Sequence, residues 1–507
     1  MRKHMGKLLI CIWVVLFCLC GGALASEKEE AASDIELETN EAIAYLGDYA
    51  DVKEGFTTHL PLLVIEFIEG GEANEDNYWF TRMKLSVYDH PDENNLSLAP
   101  TEEIPMHVRL LSDWENEDRV KLDYFMRLYD DAGETAAYSL LGMDGSSEYY
   151  LIGAMYDRSL LRNYLGYTLA GEIMENAPDV RFCEVLQRTE TGYLYRGVYL
   201  LVERKTSTDT LLLRRDVDPD DLWLETYASR QDPEQGRLVY PYLEETLEDQ
   251  VLWDIAGKVS TVEEVILSSD LNTFSQYGRL IDVNSFIDFF IVNEAMGNYA
   301  AKDDAYFTLN TRTNILSMGP VWDFERALDN AIDEPMEIWD IPLEKDILFE
   351  RLLQSKSFID TLRQRYIAAQ QNVINQAHYY ELIDDAVEQL GDAAIRDWHT
   401  WASYFEENPD TQPQPTDVFT YYNADDVSVS DFARAPQTHA QEVVKLKYLL
   451  RDHNINMAYQ FTQFETNAGS DLKGTESSYV RNSWWFLAFL VVVLISIRIG
   501  HRYAKQV

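Results

Sequence analysis

Gly319-Pro-Val-Trp-Asp-Phe-Glu-Arg326 is the stretch on which the reading of this 507-residue chain turns. Two acids, Asp323 and Glu325, stand two positions apart among Val321, Trp322 and Phe324. In an extended segment, residues i and i+2 emerge on the same face. The apolar neighbours would pin that backbone to the edge of a core. Two carboxylates held there suit a hard cation such as Mg²⁺, which takes oxygen ligands and often combines one or two carboxylates with substrate phosphates. A salt bridge, for example with Arg326, accounts for the same spacing.

Working outward, Ala305–Leu309 and Ile315–Met318 read as short strands around a turn, preceded by a helix from about Ser285 to Met296. That helix carries Phe286, Phe289 and Phe290 on its apolar face, and Gly297 is a natural cap. Asn298 and the pair Asp303-Asp304 fall in the helix-to-strand connection, a place where site residues concentrate. Further upstream, Asp157 caps a helix whose apolar positions include Leu160, Leu161, Tyr164, Leu165 and Leu169. Strand signals occur at 60–66, 79–88, 106–111, 124–129 and 193–203. Beyond Asn330 the pattern is mostly helical to about Tyr459, broken by the Pro-rich loop 409–415. This order predicts an α+β fold with a helical C-terminal lobe.

The two ends differ from the middle. Arg2, Lys3 and Lys7 precede the apolar run Leu8–Cys20, and Ala23-Leu24-Ala25 offers a small-x-small cleavage site, so residues 1–25 read as a signal peptide. Residues 26–58 read as an acidic leader, 59–330 as the core, and 331–480 as the helical part of the same domain. Trp484–Ile497, flanked by Trp484-Trp485 and by Arg498, His501, Arg502 and Lys505, reads as a membrane anchor, with 481–507 forming a single C-terminal transmembrane helix and a basic cytoplasmic tail. The expected location is thus an extracytoplasmic domain fixed to the membrane.

All 87 acidic residues lie in 26–480, against the 35 Lys and Arg left once seven in the end segments are set aside, a net charge near −52. Such a surface repels phosphate backbones and argues against a nucleic-acid partner, while favouring basic proteins or divalent cations. Only Cys183 lies beyond the signal, so the exported chain holds no internal disulfide and reads as packed around a buried thiol. There is no HExxH, CxxC, GxSxG, GxGxxG or GxxxxGK[ST] pattern, and the nine His are scattered.

Several blocks together resemble the CotH kinase family, the spore-coat-protein-H-like atypical protein kinases. They are Leu60-Pro-Leu-Leu-Val-Ile-Glu66, Asp157-Arg-Ser-Leu-Leu-Arg-Asn163, Tyr195-Arg-Gly-Val-Tyr-Leu-Leu-Val-Glu203, Asn284-Ser-Phe-Ile-Asp-Phe-Phe-Ile-Val-Asn-Glu294 and the Trp322-Asp-Phe-Glu325 segment, in the family's order. Arg365-Tyr366 and Lys445-Leu-Lys447 extend the likeness into the helical part. The resemblance implies a diverged protein-kinase-like core, a mixed sheet with packed helices, that transfers the γ-phosphate of ATP to a protein Ser or Thr with Mg²⁺ or Mn²⁺. It implies Asp323 and Glu325 as metal ligands, Asp304 near the substrate hydroxyl, and Lys121, Glu203 and Asn298 as cofactor-binding residues. A basic surface or coat protein is the expected substrate.

The chain departs from the family at three places. Arg109-Leu-Leu-Ser-Asp-Trp-Glu-Asn116 lacks the family's glycines, which allow close backbone approach to phosphate. Lys121-Leu-Asp-Tyr124 keeps one lysine of a pair, and Asn298-Tyr-Ala300 has alanine where the family has an acid. These departures open a second reading, a non-catalytic pseudokinase that binds a protein as a surface or scaffold module.

Overall fold

Alternation along seven strands builds the first half of the molecule. In the computed structural model, which describes residues 52, 55–68, 81–111, 121–204, 210–216, 239–241, 249–302, 304–331, 336, 339–408 and 438–468, the first four strands are β1 (Thr57–Thr58), β2 (Leu62–Phe67), β3 (Thr81–Tyr88) and β4 (Asn94–Asn95). They are followed by β5 (Glu102–Leu110), β6 (Tyr124–Leu128), β7 (Glu148–Ile152), β8 (Val180–Arg188) and β9 (Tyr193–Glu203). Strands β2, β3, β5, β6, β7, β9 and β8 close, in that order, into a barrel. Every pairing is antiparallel except the last: β2 lies parallel to β8, with Leu62 opposite Glu184.

Side chains of one parity fill the barrel, among them Leu63, Met83, Met106, Met126, Tyr149, Cys183 and Tyr199. Those of the other parity on β7, β8 and β9, such as Tyr150, Phe182, Val198 and Leu200, join the larger core shared with the helices. Period-two patterning thus gives each of these strands two buried faces. Cys183 is fully buried, and burial raises its thiol pKa far above the ordinary value.

Helix α1 (Arg162–Ile173) links β7 to β8. A second, antiparallel sheet runs in the order β11 (Val239–Pro241), β10 (Thr210–Asp216), β12 (Asp304–Asn310), β13 (Leu316–Met318). Helices α2 (Asp249–Leu267), α3 (Leu271–Phe274) and α4 (Val283–Ala295) precede β12. After it come α5 (Ile347–Leu352), α6 (Lys356–Asn372), α7 (Gln376–Leu390), α8 (Asp392–Thr400), α9 (Ala402–Glu407) and α10 (His439–Ala468). Helix α4 starts at an Asp282 cap that accepts the Asn284 N–H, and it is buried on all sides. Its Phe290 ring meets Phe349, Phe461 and Phe464, which ties α4 to α5 and α10.

The expected fold class needs correction on two points. The strands form a closed seven-stranded barrel, because the long return through α1 brings β8 back beside β2, a contact no local pattern encodes. Among the described residues no helix is long and apolar enough to cross a membrane. The expected anchor at 481–507, the signal at 1–25 and most of the leader lie outside the described residues. The end of that leader belongs to the fold: Phe56 is buried against Tyr195, and β1 pairs with β4.

Candidate active site

Asp157 organises the segment that joins the barrel to α1. Its carboxylate accepts the Ser159 N–H at 3.1 Å, the Ser159 hydroxyl at 2.5 Å and the Arg162 N–H at 2.8 Å. The fully buried Arg162 guanidinium meets Ser159 Oγ at 3.4 Å and four further acceptors. It reaches Asp157 Oδ1 at 2.7 Å, Glu442 Oε1 on α10 at 2.7 Å, and the carbonyls of Ala327 and Leu328 at 2.8 and 3.1 Å. Burial opposes the charge on Arg162, but Glu442 and Asp157 more than offset it, so its pKa is raised. On Glu442 burial pushes the other way from Arg162 and Lys445, and the cations prevail, holding that carboxyl below its usual range.

The beneficiary of this network is the loop that follows β13. Asp323, Leu328 and Asp329 all have positive φ, at 44°, 49° and 58°. Left-handed backbone at non-glycine residues costs about 1–3 kcal/mol each and persists only where surroundings enforce it. Here Arg162 holds two loop carbonyls, and Lys445 of α10 donates to the Asp329 carbonyl at 3.2 Å. Asn163 Oδ1 accepts the Phe324 N–H at 2.7 Å, and the Phe324 ring lies against Gly166, edge-on to Tyr167.

This geometry revises the same-face expectation for Asp323 and Glu325. Asp323 has positive φ, so the segment is not the extended strand that the expectation assumed, and the contacts of the two carboxylates differ. Asp323 is half-buried, and its Oδ1 accepts the Glu325 N–H at 2.9 Å. Glu325 is buried, its Oε1 accepting the Tyr156 N–H at 2.5 Å, while Asn330 bridges the carbonyls of Glu325 and Tyr156. Glu325 therefore ties the loop to the segment after β7.

Asn298 is brought directly to this loop. Its Nδ2 donates to Asn293 Oδ1 at 3.0 Å and to the Asp323 carbonyl at 3.1 Å. Two acceptors fix that edge as the NH₂ group. The opposite atom, Oδ1, is buried and lacks a hydrogen-bond partner among the described residues. An amide oxygen without a partner beside Asp323 is the kind of donor a hard cation takes. No group of three or more His, Cys, Asp or Glu suited to a metal occurs among the described residues. A nucleotide-borne Mg²⁺ needs fewer protein ligands than that, because phosphates and water complete its shell.

Lys121 and Glu203 stand apart. Lys121 is buried, and its Nζ lies 2.8 Å from Asp397 Oδ1 of α8. Glu203 closes the far end of β9, where its Oε1 accepts the Gly145 N–H at 2.6 Å. The six residues from Gly197, beside Lys121, to Glu203 span about 20 Å of strand. Lys121 instead lies near the segment that Glu325 holds. It touches Gly153, and Gly153 is three residues from Tyr156, at most about 11 Å of chain. Asp304 opens β12 opposite Asp216, and its side chain lies outside the described residues. The sequence blocks quoted above held Asp157, Arg162, Asn163 and Lys445, though not their mutual contacts. Asp397 and Glu442 had no signal of their own, since each works through a partner about 280 residues distant.

A family model for the CotH kinase protein matches residues 116–429, well over half of the chain, from just before Lys121 to beyond α9. No curated protein matches. On the strength of that match, over the segment that contains this loop together with Asp157, Arg162 and Asn163, the chain belongs to the CotH kinase family.

Proposed function

We propose that the protein is an ATP- and Mg²⁺-dependent kinase that phosphorylates a Ser or Thr hydroxyl of a basic protein outside the cytoplasm. The observation that carries this reading is Asn298, whose Nδ2 holds the Asp323 carbonyl and whose buried Oδ1 has no hydrogen-bond partner among the described residues, on a loop braced by Arg162 and Asn163. Family membership supports a kinase-related activity in general. The acidic surface supports a basic substrate, and the signal-like N-terminus supports export.

Phosphoryl transfer asks the protein mainly for positioning and charge neutralisation. Asp323 and Asn298 are the residues that would hold the metal, which would supply positive charge to offset that of the phosphates. Lys121 supplies a second, fixed positive charge for phosphate. Glu325, through Tyr156, keeps the loop in register with the segment touching Lys121. A specific observation favours the pseudokinase as second reading: Ala300, in the short helical turn Tyr299–Lys302, leaves that turn without a carboxylate at this position.

The test is phosphate transfer. Incubation with ATP and Mg²⁺ or Mn²⁺ and a panel of basic proteins is expected to add phosphate to Ser or Thr, and Asp323→Asn to abolish it. Nucleotide binding without transfer under either metal would favour the pseudokinase.

A further inference from the structure

We infer that Asp397 of α8 is the positioning residue that holds the Lys121 ammonium for nucleotide phosphate; this rests on the nucleotide-binding reading above. The two side chains are 1% and 9% exposed and lie 2.8 Å apart. The same Asp397 oxygen accepts the Val198 N–H, also at 2.8 Å. Strand β9 makes room for it. Gly197 has φ +108°, and a Cβ there would stand 2.2 Å from Asp397 Oδ1. The β8–β9 register also shifts here, between Val185 and Leu186. The glycine and the register shift thus leave room against the barrel wall for the carboxylate of α8.

Neighbouring contacts fix the helix in that orientation. Arg396 pairs with Glu184 of β8 at 2.7 Å, and Glu184 is the register partner of Val198. Two adjacent residues of α8, opposite in charge, therefore engage two adjacent strands. Arg158 lies 3.5 Å from the Trp398 ring centre and 4.5 Å from that of Phe405, joining α8 and α9 to the segment that continues to Tyr156 and Glu325. Glu203, six residues along β9 from Gly197, is bonded to Gly145 instead.

The chemistry explains why a carboxylate belongs there. A buried lysine without a counter-charge tends to lose its proton, and a neutral amine is a poor phosphate ligand. Asp397 sets a carboxylate 2.8 Å from the Lys121 Nζ as its counter-charge. An ammonium has three donors, and the contact with Asp397 uses one.

The experiment combines thermal unfolding of the full chain with titration by Mg–ATP. Lys121→Met, Asp397→Asn and their combination form a double-mutant cycle. Asp397→Asn keeps an oxygen for the Val198 N–H and removes only the charge. The expected results are thermal coupling between 121 and 397, none between Lys121 and Glu203→Gln, and a loss of about tenfold or more in ATP affinity for Asp397→Asn. The double variant should regain much of the lost melting temperature and none of the ATP affinity. Absence of thermal coupling between 121 and 397 overturns the contact. If the wild type binds Mg–ATP and Asp397→Asn binds it equally well, the positioning role is overturned and the pair is a structural tie. A wild type that fails to bind Mg–ATP overturns the nucleotide reading and this role together, and the thermal cycle then records whether the tie exists.

Discussion

Replacing Gly166 by alanine adds one methyl group behind the loop that carries Asp323. Built on the backbone, that Cβ would lie 2.2, 2.3 and 2.5 Å from three atoms of the Phe324 ring. Ordinary contact starts near 3.4 Å, so the ring has to retreat by more than an ångström. It has little freedom to do so, because Phe324 is fully buried, edge-on to Tyr167, with its N–H held by Asn163. Overpacking of this sort costs about 1–3 kcal/mol, while alanine regains about 1 kcal/mol over glycine in a helix interior. The net expectation is a loss of up to about 2 kcal/mol. Gly171, on the same helix, meets nothing within 4 Å, so Gly171→Ala should gain about 0.5–1 kcal/mol. Denaturant unfolding of the pair therefore separates packing from propensity, with a difference of about 1–3 kcal/mol between them. Because Asp323 precedes Phe324, a shift near 1 Å should also weaken Mg–ATP-dependent activity by about 10²-fold. If Gly166→Ala stabilises the protein as much as Gly171→Ala does, the loop is not seated on α1 as described.

Arg162→Lys should destabilise by about 3–5 kcal/mol, since one ammonium cannot reach Asp157, Glu442 and two loop carbonyls and leaves a buried acid without its partner; chemical unfolding measures this, and a loss below 1 kcal/mol would contradict it. Burial raises the pKa of Glu294 well above normal; its Oε1 accepts the Leu343 N–H at 2.6 Å, and Oε2 has no partner among the described residues. The folded state thus keeps a proton that the unfolded chain releases above about pH 4.5, so stability should fall as pH rises beyond that, by about 1.4 kcal/mol per unit while the carboxyl stays protonated. Glu294→Gln should flatten this slope and be the more stable form at neutral pH, and parallel slopes for the two proteins would refute it. Glu442 runs oppositely: with its folded pKa depressed, its contribution is present above the usual carboxylate range and is lost as pH falls through the depressed value, so Glu442→Gln should narrow the gap to wild type in acid.

Much of the fold was legible where patterning is local. The strand 193–203 occurs as read, the Phe-rich helix runs Val283–Ala295, and the short strands flanking the turn at 311–315 are present. Helix α2 and strands β7 and β8 are not among the expected elements, although Ile255, Val259, Val262 and Ile266 of α2 recur at helical spacing and are buried. Barrel closure depends on β2 meeting β8, about 120 residues on, and nothing within either strand specifies that partner. At the site, residue identity was readable and geometry was not. Asp323 and Glu325 looked equivalent in a stretch read as extended, but Asp323 has positive φ and its carboxylate accepts the Glu325 N–H, while that of Glu325 accepts the Tyr156 N–H. Lys121 was apparent, whereas its acid, Asp397, sits on a helix some 280 positions later and had no signal of its own.

The most direct test of the central claim is calorimetric titration of the full chain with ATP, with and without Mg²⁺, for the wild type, Asp323→Asn and Asn298→Ala. The account predicts metal-dependent binding by the wild type, loss of that dependence in Asp323→Asn, and weakening in Asn298→Ala, with all three proteins folded. Equal, metal-independent binding by the three, or none by a folded wild type, would contradict it.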